Sequence, residues 1–151
     1  MATKVIETSD ENAKRMVRKR TPRVLLVEDD LCIISSIQRN LRPYRIDLEV
    51  AFHGFQGVSE ALSFEPDLVI TDLQMPLASG EELMQCLAHI PRTRNVPIIV
   101  ITGRPGVTLS RRMKELGVVS VLAKPIPFES LLSEIGKKVC VERRFGKSAT
   151  D

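Results

Sequence analysis

Four short clusters in this 151-residue chain carry side chains suited to chemistry. Glu28-Asp29-Asp30 is a run of three carboxylates, and Thr71-Asp72 sets a hydroxyl beside an acid. Thr102-Gly103 offers a second hydroxyl, and Ala123-Lys124-Pro125 supplies one ammonium. Closely packed carboxylates repel one another, and a cation must offset that. Mg²⁺ does so well, because it takes oxygen ligands, keeps several waters and commonly joins a carboxylate to a phosphate. A lysine is a compact charge for a carboxylate or a phosphoryl oxygen, and a threonine hydroxyl donates to the same kind of oxygen. An acid, a metal, a hydroxyl and a lysine around one point describe phosphoryl transfer onto a carboxylate, for which Asp is a known covalent nucleophile. Taken singly, each residue also has a plain structural reading. Glu28 and Asp29 read as loop charges, Asp30 as a helix N-cap, Thr102 as a turn residue and Lys124 as a surface lysine.

The surrounding pattern decides whether these clusters meet. Apolar runs at 24–27, 68–70 and 98–101 are short and unbroken, and each stops at one of the clusters. Residues 46–50 alternate polar and apolar, as a half-exposed strand does, and 118–122 form a fifth run that leads into Lys124. Between them lie helical periods at 31–41, 54–64, 79–89, 108–116 and 127–139. In the second helix Phe55, Val58, Ala61 and Leu62 are expected inward; in the last, Phe128, Leu131, Leu132 and Ile135. Ser79 with Glu82 three residues on is a capping-box pattern, and Gly117 is placed to end the fourth helix. Strict strand–helix alternation implies right-handed crossovers and a parallel sheet covered on both faces, with the alternating second strand at an edge. All four clusters then gather outside the carboxyl ends of the strands, where such folds bind ligands.

Composition sets the limits. The chain is 43% hydrophobic and 27% charged, a balance that suits one globular domain without disulfide or metal staples. No apolar window is long enough for a membrane span, and the first twenty residues contain no secretory signal. With no Trp, one Tyr and five Phe, a base-stacking nucleic-acid platform lacks material. The sequence holds no GxxxxGK[ST] loop, GxGxxG fingerprint, HExxH or GxSxG. Cys32, Cys86 and Cys140 are far apart and unaccompanied by ligand-spaced partners, so they are expected to be small helix residues in a reducing compartment. His53 and His89 stand alone and are expected to be surface or structural residues.

The stretches VLLVEDD (24–30), DLVITDLQMP (67–76), Gly80, PIIVITG (97–103) and LAKPIPF (122–128) resemble the receiver domain of two-component response regulators. The separations agree too, with 30 residues from Asp72 to Thr102 and 22 from Thr102 to Lys124. The resemblance implies a flavodoxin-like, doubly wound (βα)5 fold with five parallel strands in the order 2-1-3-4-5. It further implies that Asp72 accepts a phosphoryl group and that Glu28, Asp29, Asp72 and the Gln74 backbone carbonyl hold Mg²⁺, with Mn²⁺ able to substitute. Thr102 and Lys124 then contact the phosphoryl group, and the Lys124–Pro125 peptide bond is commonly cis. The donor implied is a sensor histidine kinase or a histidine phosphotransfer protein. One position departs from the family: Val121 stands where an aromatic is usual, three residues before the lysine.

The chain divides into a basic, loosely ordered extension (1–22), a receiver domain (23–140) and a basic tail (141–151). A short helix through Arg18 is expected in the extension. Residues 1–23 carry a net +4 and residues 137–151 a net +3, against −4 for the body. Solvated tails account for this, as does contact with nucleic acid, an anionic membrane or an acidic partner. The residues after the last helix are too few for a helix-turn-helix, so the expectation is a cytoplasmic phosphoprotein without a DNA-binding domain in this chain, which either signals by protein contact or is cut from a larger protein. The competing reading is an adaptor of receiver fold that binds partners without being phosphorylated. An aspartate-based phosphatase is disfavoured, because Leu73-Gln74-Met75 supplies no second acid after Asp72.

Overall fold

The computed structural model describes residues 20–75, 77–104 and 111–145. The helix expected within the N-terminal extension lies outside them. Among the described residues the strands are β1 (Arg23–Val27), β2 (Asp47–Ala51), β3 (Leu68–Asp72), β4 (Ile98–Thr102) and β5 (Val118–Ala123). The helices between and after them are α1 (Leu31–Leu41), α2 (Gly54–Phe64), α3 (Gly80–His89), α4 (Arg111–Glu115) and α5 (Phe128–Gly136). All strand pairs are parallel, in the order β2-β1-β3-β4-β5. This is the flavodoxin-like arrangement, with the alternating strand β2 at an edge as expected.

Each unbroken apolar run feeds two cores, because successive side chains of a strand face opposite ways. Val24, Leu26, Leu68, Ile70, Ile99 and Ile101 pack under α1 and α5, with Ile34, Ile37, Leu131 and Ile135. Leu25, Val27, Val69, Ile98 and Val100 pack under α2 and α3, with Ala61, Leu83, Met84 and Leu87. The sheet's central strands are therefore dry on both faces, which fixes their register and the alignment of their carboxyl ends.

Helix starts follow local chemistry. The Asp30 carboxylate accepts from the backbone N–H of Cys32 and Ile33. His53 caps α2 by accepting from Gln56, and the Ser79 hydroxyl accepts from Glu82. Gly117, at φ +92°, closes the fourth helix where a side chain would be strained.

Several expectations need correction. The inward face of α2 is Gly54, Gly57 and Ala61; Phe55 is 62% exposed, because the glycines let the helix approach β1 and the β3–α3 loop too closely for a ring to fit between. Leu31 is likewise exposed in the first turn of α1. The last helix ends at Gly136 rather than 139, so Cys140 lies outside it, and Val139 instead fills the core from the following turn. Only 111–115 of the expected 108–116 helix is helical among the described residues. Beyond residue 140 the chain stays attached. Arg45 N–H donates to the Glu142 carbonyl at 2.7 Å, and Arg144 N–H to the Pro43 carbonyl at 2.8 Å.

Gly80 shows how tightly α3 is set against β3. A Cβ at this position would fall on the Asp72 carbonyl oxygen, whereas one at Gly136 would meet nothing within 4 Å. Gly80→Ala is expected to cost about 1–3 kcal/mol through overpacking. Gly136→Ala should stabilise by about 0.5 kcal/mol, through the lost freedom of the unfolded chain. Urea unfolding of both variants checks this; equal midpoints would mean that the α3–β3 contact is looser than described.

Candidate functional site

The four strand ends do converge, and each residue of the Glu28-Asp29-Asp30 run has a different task. Glu28 continues the β1 ladder, its N–H donating to the Ala51 carbonyl at 3.0 Å. Its side chain is fully buried, and Oε1 accepts from the Asp30 N–H at 3.1 Å. Asp30 is taken up by capping α1, while Asp29 stays exposed. At the end of β3, Asp72 is 5% exposed. Its Oδ1 accepts from the Gln74 N–H at 3.1 Å and its Oδ2 from Lys124 Nζ at 2.8 Å.

Lys124 links the two strands' acids. Its Nζ lies 3.0 Å from Glu28 Oε2 as well as 2.8 Å from Asp72 Oδ2. Its backbone N–H donates to the Thr102 carbonyl at 2.8 Å, and the peptide bond to Pro125 is cis. Thr102 is buried at the end of β4, with its hydroxyl accepting from the Arg104 N–H at 3.1 Å. The structure thus ties Thr102 to the cluster through the backbone of Lys124. Carboxylate oxygens of Glu28, Asp29 and Asp72 lie within 4.8 Å of one another. Glu28 Oε2 is buried without a well-directed hydrogen bond despite the nearby ammonium. A buried hard oxygen left in that state, next to two further carboxylates, fits a hard divalent cation.

The electrostatics follow from burial. Desolvation is the main force that pushes the Glu28 carboxyl above its ordinary value, and the charge of Asp72 adds to it. The Asp30 N–H and Lys124 oppose the rise. For Lys124, burial alone would lower the ammonium's value. Its hydrogen bond to Asp72 and the negative charges of Glu28 and Asp72 beside it outweigh that and hold it above the ordinary 10.5.

Sequence reasoning missed the apolar surroundings of this pocket. Leu31, Phe52, Phe55 and the 77%-exposed Leu77 all sit on segments that leave the carboxyl ends of β1, β2 and β3. Leu77 holds φ +71°, an uncommon conformation for a non-glycine residue. Their apolar character was visible, but periodicity assigns such residues to a core. Both histidines are structural, His53 as the cap of α2 and His89 with Nδ1 2.6 Å from the Gln85 carbonyl oxygen.

Residues 24–136 match the model of the response regulator receiver domain. The chain belongs to that family. It is 28% identical over 114 residues, 76% of its length, to the DNA-binding dual master transcriptional regulator RpaA of Synechocystis, of which it covers 47%. It is 29% identical over 130 residues to the transcriptional regulatory protein PrrA of Mycobacterium tuberculosis, covering 86% of this chain and 54% of that one. The chain therefore spans about half the length of these curated relatives. Among solved structures, the chemotaxis response regulator CheY4 of Vibrio cholerae superposes with a TM-score of 0.72 at 24% identity, over 79% of this chain and 99% of that one. That likeness concerns the fold. No helix among the described residues is long and apolar enough to cross a membrane.

The pocket's charge balance can be checked through stability. A raised carboxyl value means that ionising Glu28 costs stability as pH rises above 4.5, a cost that Lys124 offsets while it is charged. Lysine's own contribution is complete below 10.5 and is lost as pH rises through its raised value. Lys124→Met should therefore destabilise by about 2–3 kcal/mol at pH 8, at the lower end for a broken buried pair because the ammonium is partly exposed. The deficit should shrink towards pH 5. A deficit that does not change with pH in urea titrations would show that Lys124 acts by packing.

Proposed function

We propose that this domain takes a phosphoryl group onto Asp72 from a histidine-borne donor, either a sensor histidine kinase or a histidine phosphotransfer protein, and passes the signal on by protein contact. One observation carries the reading. A single ammonium joins two desolvated carboxylates, one of them positioned by the Gln74 N–H and the other beside a third acid. In the transfer an Asp72 oxygen forms a bond to phosphorus as the bond from phosphorus to the donor imidazole nitrogen breaks. Lys124 turns from the carboxylate to the incoming phosphoryl oxygens, and Thr102 offers its hydroxyl to them. Glu28, Asp29, Asp72 and the Gln74 carbonyl are the residues to hold Mg²⁺, which supplies charge neutralisation for the phosphoryl oxygens. Hydrolysis of the acyl phosphate returns the carboxylate, which makes the domain a timed switch between two populated states.

The adaptor reading is not favoured, because the acceptor, acid pair, hydroxyl and lysine are all present at one rim. Val121, half-buried and paired with Val100 in the β4–β5 ladder, bears on the output instead. It has one stiff rotor and cannot carry a ring towards Thr102.

Incubation with acetyl phosphate and Mg²⁺ should add one phosphoryl mass, with Mn²⁺ also effective and EDTA abolishing the gain. Asp72→Asn should lose the gain and remain folded; undiminished labelling of that variant would sink the assignment. Asp29→Ala should lose the Mg²⁺-induced rise in melting temperature expected from mass action.

A protein donor also needs a surface to rest on, and the exposed Phe52 and Phe55 beside the pocket support that use. Phe52→Ser combined with Phe55→Ser should slow transfer from a cognate protein donor by tenfold or more, about 1.4 kcal/mol, and leave acetyl phosphate labelling unchanged. Equal slowing with both donors would place the effect in the pocket.

A further inference from the structure

The end of the sheet opposite the acid pocket carries charge of the other sign. Helices between parallel strands run back against them, so α1 and α5, which share one face of the sheet, both finish at this end. The chain enters the domain here, where the Pro22 carbonyl accepts from the Asp47 N–H at 2.9 Å, and returns here, where the Arg144 N–H is bonded to Pro43. Several cations at this pole already have partners. Arg20 is paired with Asp67, Lys137 Nζ lies 2.9 Å from Glu134, and Arg144 Nε donates to the Arg42 carbonyl at 2.9 Å. Arg39, Arg42 and Lys138 are exposed, and their side chains have no hydrogen-bond or ion-pair partner among the described residues. Of the acids beside them, Glu142 faces Arg45 at 4.0 Å and Asp47 is exposed, which leaves the pole positive.

An apolar ring stands on the same surface. Phe145 is 84% exposed, more than any other large apolar residue among those described. The turn that carries it is held from both sides. Arg144 bonds through its backbone to Pro43 and through its guanidinium to the Arg42 and Ile46 carbonyls, and Arg143 lies over the Tyr44 ring at 5.7 Å. Arg144 therefore serves to fasten this turn, and the fastening brings Phe145 next to Arg42 and its free guanidinium. Ordering that turn beforehand lowers the entropy lost when the ring finds a partner.

Ring and cations together narrow the partner. Free cations alone suit any polyanion, but an exposed aromatic gains little from phosphates. At a bilayer both are used: the ring sits at the acyl boundary, while Lys and Arg reach the headgroups from apolar stems. Nucleic acid suits this pole less. The three free cations stand at or just beyond the C-terminal ends of two separate helices, so no helix carries them into a groove, and one ring is no stacking platform. We propose that this pole docks on an anionic membrane surface, with Arg39, Arg42 and Lys138 at the lipid headgroups and Phe145 in the interface. The net +4 of residues 1–23 and +3 of residues 137–151 strengthen the attraction. The acid pocket, at the other end of the strands, is then held away from the like-charged lipid and stays open to solution. Docking does not depend on phosphoryl transfer at Asp72.

Vesicles of phosphatidylcholine with about one-third phosphatidylserine, set against pure phosphatidylcholine, test the proposal. The full chain should sediment with the anionic vesicles at about 0.1 M salt, largely release at about 0.5 M, and ignore the neutral ones. Arg39→Glu combined with Arg42→Glu should weaken sedimentation by about tenfold or more with the urea midpoint unchanged, and the corresponding Gln pair serves if the reversals disturb folding. The chain contains no Trp, so Phe145→Trp supplies a single fluorescent reporter. Its emission should shift to the blue on anionic vesicles and be quenched by brominated lipid. Failure to sediment overturns the proposal. So does full sedimentation of both charge variants, which would move the attraction away from this pole, and so does a reporter that stays in water, which would leave adsorption by charge only. Tighter binding to duplex DNA than to the vesicles, unaffected by Phe145→Ser, would overturn it in favour of a nucleic-acid surface.

Discussion

Two carboxylates share one ammonium across the ends of four strands, and the rest of the site is arranged around that fact. Glu28 and Asp72 are treated alike. Each gives one oxygen to a backbone N–H two residues further on and presents the other to Lys124. Neighbouring strands lie about 4.8 Å apart, so a lysine on the edge strand β5 must reach past β4 to meet acids on β3 and β1. Its flexible four-carbon stem suits that span and allows the charge to transfer between partners, whereas a guanidinium fork would fix one geometry. Any slip of register between β4 and β5 would move the ammonium by one residue and turn it to the other face. The backbone bond from Lys124 to Thr102 therefore belongs to the site as much as to the sheet.

Most of this was legible in the sequence, because its signals are strong where desolvation is complete. The unbroken runs 24–27, 68–70 and 98–101 are apolar because both faces are covered, and they stop where the sheet meets water. The acids at those stops are therefore placed by the same pattern that places the core. Asp30 illustrates the limit of reading residues singly. It belongs to the acidic run by sequence, yet its carboxylate serves the α1 backbone. The misreading of Phe55 has a related origin. Helical periodicity counts apolar residues and overlooks glycine, but Gly54 and Gly57 form the contact face because the helix comes close enough that a Cβ at Gly57 would lie 3.1 Å from Val27.

The end of the last helix was not legible for another reason. Val139 is buried, as a continued helical period requires, but it reaches the core from a turn after Gly136. Burial periodicity reports only where side chains go, and a turn can deliver one residue to the same place. The chain then turns back along residues 43–46, held by backbone bonds, by Arg144 donating to the Arg42 and Ile46 carbonyls, by Arg143 over the Tyr44 ring and by the half-buried Val141, a mixture without a hydrophobic period to betray it.

The two edges of the sheet are handled differently, and this bears on what a phosphoryl group at Asp72 can move. β2 alternates exposed acids with half-buried aliphatics and is supported by α1 and by the returning chain. β5 is covered less well. Its middle residues are only half-buried, its ladder to β4 has a register irregularity at Ile98/Ile99, and α4 beside it buries none of its side chains. Low local packing lets a segment shift at small cost. Lys124 ends this loosely held strand, while Glu28 and Asp72 stand on strands buried on both faces. On the proposed function, a phosphoryl group at Asp72 would therefore meet less resistance from the β5 side of the pocket than from the β1 and β3 side. Val121, half-buried in the β4–β5 ladder, has one stiff rotor and no ring to exchange, so on that reading the response of this edge rests on its backbone.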